Sequence, residues 1–252
     1  MRPNRVKQMW REEKAAVGSW LNLGHPFAAE IMAHAGFDWL LVDMEHGAID
    51  IPLAQTMLQA ISTTDTVPFV RVPWNDPAIM KRALDAGAYG VVVPMVNSAE
   101  EAQQAVAACR YPPQGIRSVG PTRAQLYAGP DYVERANEEI VVMVQIEHPD
   151  AVARIDEILQ VPGLDAIFVG PSDLASTLGI PIVPDNTHPR HVEAVQTVLA
   201  AAQRRRVPAG IMTYSAEAAK QRLAEGFMFV SITSDARLLA AAARNSLIAA
   251  TS

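Results

Sequence analysis

Lysine is scarce in this chain of 252 residues: it occurs only at positions 7, 14, 81 and 220, and none of these lies in or directly after an apolar β-branched run. Carbonyl chemistry through a Schiff base needs a lysine inside the site, so the sequence speaks against that route. The single cysteine, Cys109, sits in an Ala-rich helical pattern, which excludes both a disulfide framework and a thiolate metal site. Positive charge is lacking as well. A net charge of -6 and a pI near 5.5 leave no electrostatic footprint for nucleic acid or an anionic membrane surface. The one basic cluster, Arg204 to Arg206, closes a helical stretch and reads as a solvated helix end. No apolar run is long enough to span a bilayer, and the opening Met-Arg-Pro-Asn has no apolar signal segment, so the expectation is a soluble, cytoplasmic protein.

What is present is a regular alternation. Half of the residues are hydrophobic, enough for a sizeable core, and the length suits one larger domain, residues 1–252. Eight apolar runs read as strands: Val17–Asn22, Asp38–Asp43, Val67–Val72, Tyr89–Pro94, Ile140–Ile146, Asp165–Val169, Val207–Met212 and Phe227–Ile232. Helical patterns separate them, such as Asp76–Ala86 and Ser98–Arg110, and a last helix is expected over 234–249. Eight βα alternations at this length favour a closed (β/α)8 TIM barrel over an open doubly wound sheet, and the Gly-rich dinucleotide fingerprint is missing. Residues 111–139 lack clean periodicity and read as a loop over the barrel mouth, where Arg117, Arg123 and Tyr127 either meet a substrate tail or anchor the loop. Residues 179–190 form a Pro-rich excursion before the seventh strand.

In such a barrel the chemistry gathers at the carboxyl ends of the strands. Glu147 follows directly on the run ending Val144-Gln145-Ile146, and Asp173 follows Phe168-Val-Gly170-Pro171-Ser172. A buried strand ending in a carboxylate puts charge at the rim of a core, where a hard cation is the usual remedy. The competing reading is that each acid caps the following helix. The second strand delivers Asp43-Met-Glu45-His46 and the third Arg71. Neighbouring carboxylates would orient His46 as a general base, against the alternative of a structural histidine. Arg71 either stabilises negative charge developing on an oxygen or forms a structural ion pair. With no lysine available, a carbanion made beside a carbonyl would need a metal as its electron sink.

The strings 36–47 (Gly-Phe-Asp-Trp-Leu-Leu-Val-Asp-Met-Glu-His-Gly), 94–102 (Pro-Met-Val-Asn-Ser-Ala-Glu-Glu-Ala), 110–120 (Arg-Tyr-Pro-Pro-Gln-Gly-Ile-Arg-Ser-Val-Gly) and 168–174 (Phe-Val-Gly-Pro-Ser-Asp-Leu) resemble the HpcH/HpaI family of metal-dependent pyruvate aldolases. The resemblance covers nearly the whole chain, and it implies a (β/α)8 barrel, usually hexameric, with the last helix packed against a neighbour. It implies Glu147 and Asp173 as ligands of a divalent cation (Mg, Mn or Co), and His46 as the base. Asp85 matches the acid that raises the basicity of that base, with Asp43 sharing the network. Arg71 matches the residue that steadies an enolate, Gln145 the amide that contacts substrate, and the Gly170-Pro171-Ser172 turn the cradle for the pyruvate carboxylate. Ser172 departs from the Ala common among relatives, which alters contacts near that carboxylate and leaves the ligands intact.

The implied activity is reversible cleavage of 4-hydroxy-2-oxo acids to pyruvate and an aldehyde. Two rivals stand beside it. An acyl-CoA lyase of the citrate lyase or malyl-CoA lyase type would need a basic surface for the nucleotide, and none is evident; a non-catalytic barrel would tolerate change at Glu147 and Asp173.

Overall fold

A computed structural model describes residues 1–251. Eight parallel strands close into one barrel in sequence order, each paired with its chain neighbours and the last with the first. They are β1 (Ala16–Leu21), β2 (Trp39–Asp43), β3 (Val67–Arg71), β4 (Gly90–Val93), β5 (Val141–Ile146), β6 (Ala166–Val169), β7 (Ala209–Thr213) and β8 (Phe229–Ser234). The first helices are α1 (Arg5–Arg11), α2 (Pro26–Ala33), α3 (Ile51–Ile61), α4 (Pro77–Asp85) and α5 (Ala99–Cys109). After them come α6 (Thr122–Ala128), α7 (Tyr132–Glu139), α8 (Pro149–Ala153), α9 (Ile155–Ile158) and α10 (Pro171–Thr177). The last three are α11 (Pro189–Arg205), α12 (Ala216–Glu225) and α13 (Asp235–Thr251). The expected TIM barrel is therefore the observed one.

The strands form where β-branched runs can be buried on both faces: every residue of β2 to β6 is buried. The helices between them start at side-chain caps, among them Asp50, Asp76, Ser98 and Ser215, each accepting a backbone N–H of the first turn. Inside the barrel Trp39 and Phe229 stack with ring centroids 3.8 Å apart, and Phe69 leans on Phe229 at 5.0 Å. Gly18 on β1 is paired with Trp39 on β2, and Gly90 on β4 with Phe69 on β3; a Cβ at either glycine would strike its partner's ring, so the missing side chains make room for the aromatic layer.

Residues 111–139 are not a mouth loop. They hold α6 and α7 and connect a helix to a strand, so they lie at the end of the barrel where strands begin. Met1 and Arg2 bond there to Asp131 and to the Ala128 carbonyl. Arg123 anchors the segment by donating to the Ala86 carbonyl and the Ser62 hydroxyl, and Arg117 pairs with Asp85. Tyr127 packs edge-on against Tyr89. The lack of periodicity reflects two short helices broken by Gly129-Pro130, with the loop-anchoring role falling to all three side chains.

Candidate active site

At the opposite end, strand exits and the loops after them surround a cavity of about 260 Å³ lined by residues that include Asp43, His46, Arg71, Gln145 and the stretch Gly170–Asp173. Register explains the core of this cluster. Asp43 and Arg71 are paired positions on β2 and β3, so the carboxylate and guanidinium meet in a two-pronged contact at 2.9 and 2.7 Å. Arg71 is 7% exposed, lies over the Trp20 ring with 4.4 Å to the centroid, and reaches Glu45 at 2.9 Å. Burial alone would pull the guanidinium pKa down, but Asp43 and Glu45 hold it above its ordinary value.

Asp43 is the hub of the strand exit. Its carboxylate also accepts from the Asn22 side chain at 2.6 Å and from the backbone N–H groups of Glu45 and His46. The His46 ring itself is bonded to no carboxylate. It projects into the mouth with its side chain 60% exposed, and the nearest acid is Glu45 at 4.0 Å. Glu45 was not singled out as a site residue in its own right, although it follows Asp43 and precedes His46 in the strand-exit string. Burial pushes its carboxyl above the usual range, reinforced by Asp43 and Asp173 and opposed by Arg71 and His46.

Gln145 and Glu147 are two residues apart at the end of β5 and face the same way. The Gln145 amide donates to Glu147 at 2.8 Å, and the second Glu147 oxygen accepts from the Met95 backbone N–H at 2.8 Å. Met95 takes a left-handed backbone (φ 52°), an uncommon conformation for a non-glycine residue that aims its N–H at the acid. Gly170 supplies the clearance on the other side: a Cβ there would collide with Glu147 Oε2. Glu147 is 2% exposed, and burial, with Asp173 and Glu45 adding to it, pushes its carboxyl up to about 8. Asp173 stands in the first turn of α10, and no side chain among the described residues pairs with its carboxylate. The turn before it is braced by His191, whose Nε2 meets the Pro171 carbonyl at 3.0 Å.

Asp85 is not in this cluster. It ends α4 at the far end of the barrel, where its carboxylate pairs with Arg117 at 2.7 Å. Polar lining residues at the strand ends of β1, β7 and β8 escaped the sequence reading, which followed only the second, third, fifth and sixth strands: Asn22 after β1, Tyr214 after β7, and Ser234 and Arg237 at and after the end of β8.

A closed barrel whose strand exits converge acids, one fixed guanidinium and an imidazole on a single cavity has the layout of a (β/α)8 enzyme. Residues 16–242 match the HpcH/HpaI aldolase/citrate lyase family, and the chain belongs to it. It is 41% identical to a hydroxypyruvate/pyruvate aldolase of Rhizorhabdus wittichii, over 96% of each chain. It is 39% identical to a 4-hydroxy-2-oxo-heptane-1,7-dioate aldolase of Escherichia coli, over 95% of this chain and 92% of that one. Among solved structures, an HpcH/HpaI aldolase/citrate lyase family protein of Burkholderia cenocepacia superposes with a TM-score of 0.93 at 37% identity, covering 99% of this chain and all of the other.

Proposed function

We propose that this protein is a divalent-metal-dependent aldolase that reversibly cleaves 4-hydroxy-2-oxo acids to pyruvate and an aldehyde. The observation that carries the reading is the electrostatic imbalance at Glu147. A buried carboxyl raised to about 8, with Asp173 and Glu45 adding negative charge beside it, is stabilised in its charged form by a cation. Two carboxylates suit a hard ion such as Mg, Mn or Co. When bound there, such an ion supplies Lewis-acid polarisation of the 2-oxo group.

The chain's own residues divide the remaining work. Exposed at the mouth, His46 removes the proton from the 4-hydroxyl; the C3–C4 bond then breaks, the aldehyde leaves, and protonation at C3 gives pyruvate. Arg71 donates to the oxygen on which enolate charge develops, and its neutralisation by Asp43 and Glu45 keeps it fixed while leaving net negative charge around it. The backbone of the Gly170–Ser172 turn, held by His191, receives the carboxylate at the pyruvate end, and Gln145 contacts substrate while steadying Glu147. Asp43 acts on His46 through the backbone. Asp85 is paired with Arg117 and out of reach within one chain; the role the family resemblance gives it on His46 requires the Asp85 of a neighbouring copy in a homo-oligomer, which we take to be a hexamer. The outward leucines of α13, Leu239 at 61% and Leu247 at 65% exposure, support that assembly. A cytoplasmic setting suits the lone buried thiol, and no helix among the described residues is long and apolar enough to cross a membrane.

The test is exhaustive chelation followed by an assay of 4-hydroxy-2-oxo acid cleavage. Activity is expected to vanish and to return with Mn or Mg; activity that survives chelation sinks the reading.

A further inference from the structure

The catalytic scheme uses the β2, β3, β5 and β6 side of the cavity and leaves its β7–β8 side without a role. That side is built from Tyr214 and Arg237, and the Ser172 hydroxyl reaches it from the turn after β6. The Tyr214 and Ser172 hydroxyls lie 2.7 Å apart, and the Arg237 guanidinium sits over the Tyr214 ring, 4.8 Å from its centroid. Asp185, in the Pro-rich excursion, fixes Tyr214 from behind by accepting its backbone N–H and the Ser215 hydroxyl, both at 3.1 Å.

Three observations point to an anionic ligand. First, the two arginines of the cavity are electrically unlike. Arg71 is buried and matched by Asp43 and Glu45, whereas Arg237 is exposed and pairs with no carboxylate among the described residues. Second, two hydroxyls bonded to each other use one proton between them. Whichever donates, the other keeps an O–H for a ligand. One guanidinium with one O–H donor is a recognition set for a carboxylate. Third, the two ends differ in depth. Of the acids proposed to hold the metal, Glu147 lies toward the floor at 2% exposure and Asp173 is half-buried, while Arg237 is exposed at the mouth in the first turn of α13.

We propose that Arg237, Tyr214 and Ser172 form a subsite for a second carboxylate on the substrate, so that the enzyme selects dicarboxylic 4-hydroxy-2-oxo acids and, in the reverse direction, acidic aldehydes. This rests on the aldolase reading above. The substrate spans the cavity from its reacting end on the floor to its distal carboxylate at the mouth.

The experiment compares wild type with Arg237→Gln, using pyruvate with succinic semialdehyde or with propanal. The preference for the acidic aldehyde in kcat/KM is expected to fall by about 10- to 100-fold, carried by KM, with partial recovery in Arg237→Lys. An unchanged preference overturns the proposal. So does a raised KM for pyruvate with both aldehydes, since Arg237 would then hold the donor's own carboxylate. A second readout does not require turnover: calorimetric titration of the Mn-loaded protein with 2-oxoglutarate and 2-oxobutyrate. Wild type is expected to bind the dicarboxylate about 10-fold more tightly and Arg237→Gln to lose that difference. A binding difference that depends on Arg237 in a protein that condenses no aldehyde would sink the aldolase reading and leave the subsite standing; no difference in wild type sinks the subsite.

Discussion

The two ends of the barrel contain the same kinds of side chain arranged to opposite effect. Where the strands begin, acids are matched. Asp165 accepts from Arg110 at 2.6 Å, Lys7 at 2.7 Å and the Val142 backbone at 2.8 Å. Glu139 receives Arg135 at 2.9 Å and the Asn4 backbone at 2.7 Å, and Asp38 takes the Val17 backbone at 2.9 Å. Each acid ties one segment to another, and the charges cancel within a few ångströms. Where the strands end, burial and the nearby Asp173 raise the cost of ionising Glu45 and Glu147, and Arg71 answers only part of that charge. A matched end holds the fold together; an unmatched end keeps free energy available for a ligand of opposite sign.

Substitutions at the two ends should therefore separate activity from stability. The largest effect is expected for Asp173→Ala, which removes a proposed metal ligand at little structural cost because no side chain is bonded to its carboxylate. Mn affinity and aldol cleavage should be lost with the melting temperature nearly unchanged, as read by calorimetry and a pyruvate-coupled assay. His46→Ala should fold normally and lose about 10²- to 10⁴-fold in turnover, the usual cost of a missing general base; full activity would remove His46 from the scheme. At the matched end, Arg110→Met breaks contacts to Asp165 and to the Ile140 and Gly163 carbonyls. It should cost about 3 kcal/mol of stability, seen in denaturant unfolding, while kcat per folded molecule is kept.

The smallest effect sharpens the comparison by pH. Burial lowers the pKa of His191 below its usual 6.5, and the ring braces Pro171 beside the site. A depressed histidine binds fewer protons folded than unfolded. Its stabilising contribution is thus complete above pH 6.5 and lost as the pH falls through the folded value. His191→Gln should flatten that acid-side fall in thermal stability.

The barrel was legible because parallel strands buried on both faces must be continuous apolar β-branched runs, and observed strand ends fall within about two residues of the expected ones. The largest slips at strand starts have one cause. Val207 and Phe227 follow helices that end in left-handed residues, Arg206 (φ 57°) and Gly226 (φ 101°), and their N–H groups bond back to those helices before the strands begin. The position of residues 111–139 could have been read from connectivity alone, since a helix-to-strand link cannot reach the mouth. Tyr214 and Arg237 follow β7 and β8 and carried the same positional signal as His46. The left-handed turn at Met95 had none, because nothing in Pro94-Met-Val announces it.

That turn has a lasting effect on what the enzyme can become. Glu147 is aimed by a main-chain amide on one side and by the bare α-carbon of Gly170 on the other. Residues facing the mouth other than Gln145, whose amide also holds Glu147, can therefore be exchanged without turning the proposed metal ligand out of line, since the rest of what fixes its direction is main chain.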